Sequence, residues 1–170
     1  MRTAGLEPLL VAKRDSDLPD LGCRVLYEPS HPHHPLCGIL AALRACDGRA
    51  LVVCPCDMPF VQAPLLAWLG ALDAPLAVVS SGDRLHPLLG RYEFSLVEAL
   101  EEQLRREASL TETVSALGAL IIGESDLARF DLPERICWNV NTRADLEYAE
   151  TLLATRDSPH PRPPSRDPAR

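Results

Sequence analysis

The 170-residue chain is 46% hydrophobic but only 5% aromatic, so its core must be built from Leu, Val, Ile and Ala within one domain. A formal charge of −7 sets DNA and RNA aside as partners, because polyanion binding usually demands a basic patch. No apolar run approaches the roughly 20 residues of a membrane span and no basic-then-apolar leader opens the chain, so a cytoplasmic location without a membrane partner is expected.

In chain order, the apolar run within Pro8–Lys13 reads as a strand and Cys23–Tyr27 as a second. Pro29–Pro35 is a Pro/His loop. Its His31, His33 and His34 lack Cys or carboxylate neighbours at ligand spacing, which favours a surface loop over a metal site. The spacing of Leu36, Ile39, Leu40 and Leu43 predicts a helix to Cys46, with Gly48 as its stop. Leu51-Val52-Val53-Cys54 is a short continuous apolar run, the mark of a strand buried on both faces. A helix over 63–72 and a strand over 76–80 follow.

After the turn Ser81-Gly82-Asp83 comes a strand over 87–92, then a charged helix over 95–107 and a shorter one over 110–117. Residues 119–122 read as a strand. The last helix, 141–153, is entered through Thr142 with Asp145 at capping-box spacing. These elements predict a domain over 1–153 and a Pro/Arg-rich tail over 154–170 that cannot bury a core and is expected to be disordered. The six cysteines form no CxxC pair, and buried thiols are the expectation. Alternating strands and helices predict a three-layer α/β/α sandwich with a mostly parallel sheet.

Asp57 follows the Leu51 strand almost at once, and Pro59 ends the extended segment. Ligands of open α/β sheets sit beyond the carboxyl ends of the strands, so a carboxylate past a central parallel strand is placed to hold Mg²⁺ over a nucleotide phosphate. The alternative is an Asp that shapes a turn or caps a helix.

Four segments, in this order, resemble the molybdenum cofactor guanylyltransferase family of Rossmann-like nucleotidyltransferases. His34-Pro35-Leu36-Cys37-Gly38-Ile39-Leu40-Ala41-Ala42-Leu43 is similar to the family's G-P-L-x-G-I-x-x-A-L, and Pro55-Cys56-Asp57-Met58-Pro59-Phe60 to its P-C-D-M-P-F. Arg84-Leu85-His86-Pro87-Leu88 resembles R-x-x-P-L, and Asn139-Val140-Asn141-Thr142-Arg143-Ala144-Asp145-Leu146 resembles N-x-N-T-P-x-D-L. The family's opening strand and loop, L-A-G-G-x-S-x-R-M-G-x-x-K, has no counterpart ahead of Leu9. The expectation is a chain without the first strand and phosphate loop, prone to self-association or to a protein partner at the exposed edge.

The resemblance implies transfer of GMP from GTP to molybdopterin with Mg²⁺ and release of pyrophosphate. The alternatives are CTP or another phosphorylated acceptor, or a non-catalytic binding module. It implies Asp57 as metal ligand and catalytic residue, and Gly38, Glu28 and Asp57 on the nucleotide. Asn139 and Asn141 would lie on the molybdopterin side or beside the metal. Each has a structural alternative: Gly38 as helix–sheet packing, Glu28 as a solvated loop carboxylate, Asn141 as the cap of the last helix.

Overall fold

The computed structural model describes residues 2–29 and 31–154, so the predicted tail beyond Ala154 lies outside the described residues. Its elements are β1 (Leu9–Ala12), β2 (Arg24–Tyr27), α1 (Pro35–Ala45), β3 (Leu51–Val53), α2 (Ala63–Gly70), β4 (Leu76–Ser81) and β5 (Arg84–Tyr92), followed by α3 (Val97–Arg105), α4 (Leu110–Ala116), β6 (Leu120–Ile122), α5 (Glu124–Leu127), α6 (Pro133–Ile136) and α7 (Arg143–Ala154).

Four strands form one sheet in the order β3-β5-β4-β6, while β1 and β2 form a separate parallel pair. Both β3 and β4 pair antiparallel with β5, and β6 pairs parallel with β4. Strands β3, β4 and β6 therefore run one way and only β5 opposes them, so the arrangement is mostly parallel. The reversal has a local cause. Only Gly82 and Asp83 separate β4 from β5, and a crossover to a parallel strand needs a dozen residues or more. Gly82 takes φ +56°, the left-handed backbone that a two-residue hairpin loop requires.

Side chains of β4 alternate between two helical layers, as a strand buried on both faces must. Leu76 and Val78 pack with α1, α3 and α4, whereas Ala77 and Val79 pack with α2, α5 and α6. The sandwich expected from the sequence is the one observed. Gly90 lets β5 approach β4 closely: a Cβ there would stand 2.3 Å from the Ala77 carbonyl oxygen, beside the bulge between Val78 and Val79. A third apolar cluster of Phe60, Trp138, Ala149 and Leu152 docks α7 onto the segments at 57–62 and 137–141.

One expectation is corrected. The Leu51 strand is not central in a parallel sheet; β3 is an edge strand whose described partner is the antiparallel β5. Its other edge faces a cleft of about 750 Å³, whose far wall is β1 and which Leu10, Val11, Val52 and Ile39 help to line. Helix α1 packs against β1, β2 and β3 and so spans the cleft on one face. Among the described residues no strand pairs with the facing edges of β1 and β3.

His86 on β5 is buried, and that burial, with a smaller contribution from the Arg84 charge, lowers its pKa below the ordinary histidine value. A histidine in the unfolded chain takes up a proton below about pH 6.5, while His86 in the folded chain does so only at a lower pH. Stability from this group is therefore fully present above the unfolded value and declines as pH falls through it. Urea midpoints measured from pH 7.5 to 5 should fall, and His86→Leu should flatten the decline. The open cleft generates a second expectation, because unpaired edges and uncovered apolar faces favour association. Light scattering on the eluting protein should give masses above the 18.6 kDa of one chain. A stable monomer with one cooperative unfolding transition would show that the cleft closes some other way.

Candidate active site

Asp57 sits in a turn four residues past the end of β3, half-buried, and is fixed to a segment 82 residues away. Asn139 Nδ2 donates to Asp57 Oδ2 at 2.7 Å, and the Val140 amide donates to the Asp57 carbonyl at 2.7 Å. One bond orients the carboxylate and the other holds its backbone. The shared site expected for Asp57 and Asn139 is thus present as geometry. Asn141 is not drawn into it by any described side-chain contact. Its side chain is exposed, and its backbone amide donates to Asp145 Oδ2 at 3.0 Å.

The cap of α7 is Thr142 rather than Asn141. Thr142 Oγ1 accepts from the Asp145 amide at 3.1 Å, while Asp145 Oδ2 accepts from the Thr142 amide at 2.9 Å. This reciprocal pair is the capping box read from the sequence. Its effect is to start α7 three residues after Val140, so that the Asn139–Val140 segment stays outside the helix and against Asp57.

Glu28 and Gly38 meet at a second point. The Glu28 amide donates to the Ala12 carbonyl at 3.0 Å, continuing the β1–β2 ladder by one bond. A Cβ on Gly38 would stand 3.0 Å from Glu28 Oε2 and 3.3 Å from Val11 Cγ1. The missing side chain is what lets the carboxylate and β1 lie against the first turns of α1. Both residues line the cleft, as do Cys54 and Cys56, which lead directly to Asp57.

His34 has a role its loop position did not suggest. Its Nδ1 accepts from the Leu36 amide at 3.1 Å and caps α1, with Pro35 as the first helical residue. The thiols are correctly read as buried at Cys37 and Cys137 but not at Cys56, which is exposed. Burial is the main cause that pushes the Cys54 and Cys137 thiols up to about 11, which suits packing rather than nucleophilic chemistry.

No group of three or more His, Cys, Asp or Glu side chains converges among the described residues. A single carboxylate nonetheless fits Mg²⁺, which keeps waters and takes one or two carboxylates together with substrate phosphates. Asp57 Oδ2 is engaged by Asn139, and that bond leaves the carboxylate turned in one fixed direction.

The doubly covered α/β sheet presents the oriented Asp57 carboxylate past a strand end, the region where open α/β sheets bind their ligands. Residues 1–119 match the family model of the MobA-like NTP transferase domain. A molybdenum cofactor guanylyltransferase of Cereibacter sphaeroides is 36% identical over 139 residues, covering 78% of this chain and 67% of that protein. A probable molybdenum cofactor guanylyltransferase of Carboxydothermus hydrogenoformans is 28% identical, covering 92% and 81%. The crystal structure of molybdopterin-guanine dinucleotide biosynthesis protein A from Archaeoglobus fulgidus superposes with a TM-score of 0.65 at 26% identity, over 78% of this chain and 69% of that one. The chain belongs to the MobA-like NTP transferase family, and its class of enzyme is nucleotidyltransferase. A divalent metal is general to such enzymes. No helix among the described residues is long and apolar enough to cross a membrane.

The Asp57–Asn139 bond generates a direct test. Partners that orient a metal-binding carboxylate are typically worth about 10–100-fold in metal affinity. Asn139→Ala should weaken Mn²⁺ binding, read by electron paramagnetic resonance, by about that factor, and Asp57→Asn should abolish it.

Proposed function

We propose that this chain is a guanylyltransferase of molybdenum cofactor maturation, joining GMP from GTP to the terminal phosphate of molybdopterin. The observation that carries the reading is the 2.7 Å contact between Asp57 and Asn139, two positions that match separate motifs of the family. Because the acceptor is a phosphate, its attacking oxygen is already an anion and no general base is needed. That oxygen forms a bond to the α-phosphorus as the bond to the β-phosphate bridging oxygen breaks, and the bonding pair leaves with pyrophosphate. Atoms and charge balance without a redox step.

Catalysis of this kind is largely positioning and charge neutralisation. Asp57 would hold Mg²⁺, which when bound offsets charge on the phosphates. Asn139 keeps the Asp57 carboxylate turned to that task. Gly38 leaves room for the Glu28 carboxylate beside the amino-terminal half of α1, where it would offer an acceptor to ribose or base hydroxyl and amino groups of the nucleotide. Asn141, exposed in a hollow that Thr142 and Leu146 also line, would meet the acceptor rather than the metal.

Among the described residues no glycine-rich run supplies several backbone amides and a basic side chain to the triphosphate. Each charge-assisted hydrogen bond of that kind is worth roughly 1.5–3 kcal/mol, so affinity for MgGTP should be lower by several orders of magnitude than such a loop would give. Calorimetry on the 170-residue polypeptide should show no micromolar binding of MgGTP. Joining an opening strand and glycine-rich loop of the family type L-A-G-G-x-S-x-R-M-G-x-x-K ahead of Leu9 should bring binding and GTP-dependent pyrophosphate release with molybdopterin. Micromolar binding without that segment would refute the account of affinity. Release with MgCTP but not MgGTP would shift the assignment to cytidylyl transfer.

A further inference from the structure

Arg135 is a buried cation that the reaction above does not use. It lies on α6, 8% exposed, and its Nη2 pairs with Asp131 Oδ2 at 3.2 Å. Its guanidinium carbon stands 5.2 Å from the centroid of Phe60, within range of a cation–π contact, and its Nε is buried with no hydrogen-bond partner. Asp131 Oδ2 also accepts from Gln62 Nε2 at 3.0 Å. Phe60 in turn packs on Trp138, with ring centroids 5.7 Å apart.

Arg135 on Phe60, Gln62 to Asp131 and Phe60 on Trp138 each join the 57–62 segment to the 131–139 segment, while the Arg135–Asp131 pair lies within the second and links two of these contacts. Phe60 and Gln62 lie three and five residues past Asp57, and Trp138 immediately precedes Asn139. The network therefore ties together, from the side, the same two segments that Asp57 and Asn139 tie at the site. Stability alone gives weak grounds for it. Burying an ion pair costs desolvation on both partners, and an apolar pair of similar volume often does as well or better. What charge and planarity add is direction, since a guanidinium that stacks on a ring and bonds a carboxylate has little freedom to slide.

We infer that Arg135 is a positioning residue, which together with Asp131 and Gln62 sets the register between the Asp57 turn and Asn139 and so the direction in which the Asp57 carboxylate is presented. The inference rests on the reading of Asp57 as a metal ligand for its functional consequence, but not for its structural one. The Val140 amide, bonded to the Asp57 carbonyl, reports that register independently of any metal.

The test compares Arg135→Met, Arg135→Lys and Gln62→Leu with the parent chain. It uses hydrogen exchange at Val140, exchange at Val78 in the sealed β4 strand as a control, and Mn²⁺ affinity. Arg135→Met should speed exchange at Val140 by about tenfold with Val78 unchanged, and should weaken Mn²⁺ binding by about 10–100-fold. Arg135→Lys, which can pair with Asp131 but cannot stack as a plane, should recover part of both losses. Gln62→Leu removes one bond of the network at a half-buried site and should raise Val140 exchange to a smaller extent, so the idea stays testable if Arg135→Met does not fold. Unchanged Val140 exchange in Arg135→Lys and Gln62→Leu would overturn the inference, as would exchange at Val78 rising in step with Val140 in these variants. If Asp57→Asn leaves Mn²⁺ binding intact, the metal-ligand reading fails while the exchange measurements still decide the positioning role.

Discussion

Everything in this molecule hangs on β4 being sealed on both faces. Leu76, Ala77, Val78 and Val79 are 0–2% exposed, and their alternation assigns each helix to one layer or the other. Leu76, Val78 and Val79 contribute roughly 1.5–3 kcal/mol each as fully buried large apolar side chains. The bulge and the bare Cα of Gly90 let β5 close against this strand without a steric gap. Tyr92, fully buried, spends its hydroxyl on the Pro87 carbonyl at 2.7 Å within the same strand. Burial holds that phenol well above the ordinary tyrosine value, so it stays a neutral donor at any physiological pH.

From that axis the site is reached by two routes, neither part of the sheet core. Strand β3 delivers Asp57 through the Cys54-Pro55-Cys56 turn, and the α6–α7 connection delivers Asn139. Two segments so far apart in sequence stay in register because several weak constraints coincide: a side-chain bond, a backbone bond, the Phe60–Trp138 contact and the Thr142–Asp145 cap. Each alone is worth on the order of 1 kcal/mol. Together they fix a carboxylate without surrounding it by other charges.

Much of this was legible in the sequence, for reasons that can be named. Apolar runs bounded by Gly and Pro gave the strands, and the 3.6-residue spacing of Leu36, Ile39, Leu40 and Leu43 gave α1, which ends one residue short of the expected Cys46. The three layers followed from alternation of strand and helix. The edge position of β3 was not legible, because pairing Leu51 with Tyr92 is a contact across 41 residues that no local periodicity encodes. Helices α5 and α6 span four residues each, too short to show a period. Asp57 stood out as a carboxylate after an apolar run, but its partner Asn139 emerged only through the resemblance of the whole motif. Arg135 was missed altogether, although Asp131 and Arg135 stand at i,i+4 spacing, the one local sign of their pairing. The His34 cap was missed because histidine is an uncommon acceptor at that position.

The division of the strands bears directly on the chemistry. Glu28 follows β2 and belongs to the two-stranded sheet, whereas Asp57 follows β3 and belongs to the four-stranded one. Among the described elements, α1 packs on both and carries Gly38 between them. The distance between the proposed ribose or base contact and the proposed metal ligand is therefore set by how α1 seats across an apolar cleft, not by a continuous hydrogen-bonded ladder. A ladder fixes strand spacing at about 4.8 Å, while side-chain packing on one helix is far softer. An extended segment, if seated between the facing edges of β1 and β3, would do more than cover apolar surface. By pairing with both edges it would lock the nucleotide half of the site at a fixed span from the metal half, which is the preorganisation that phosphoryl transfer depends on.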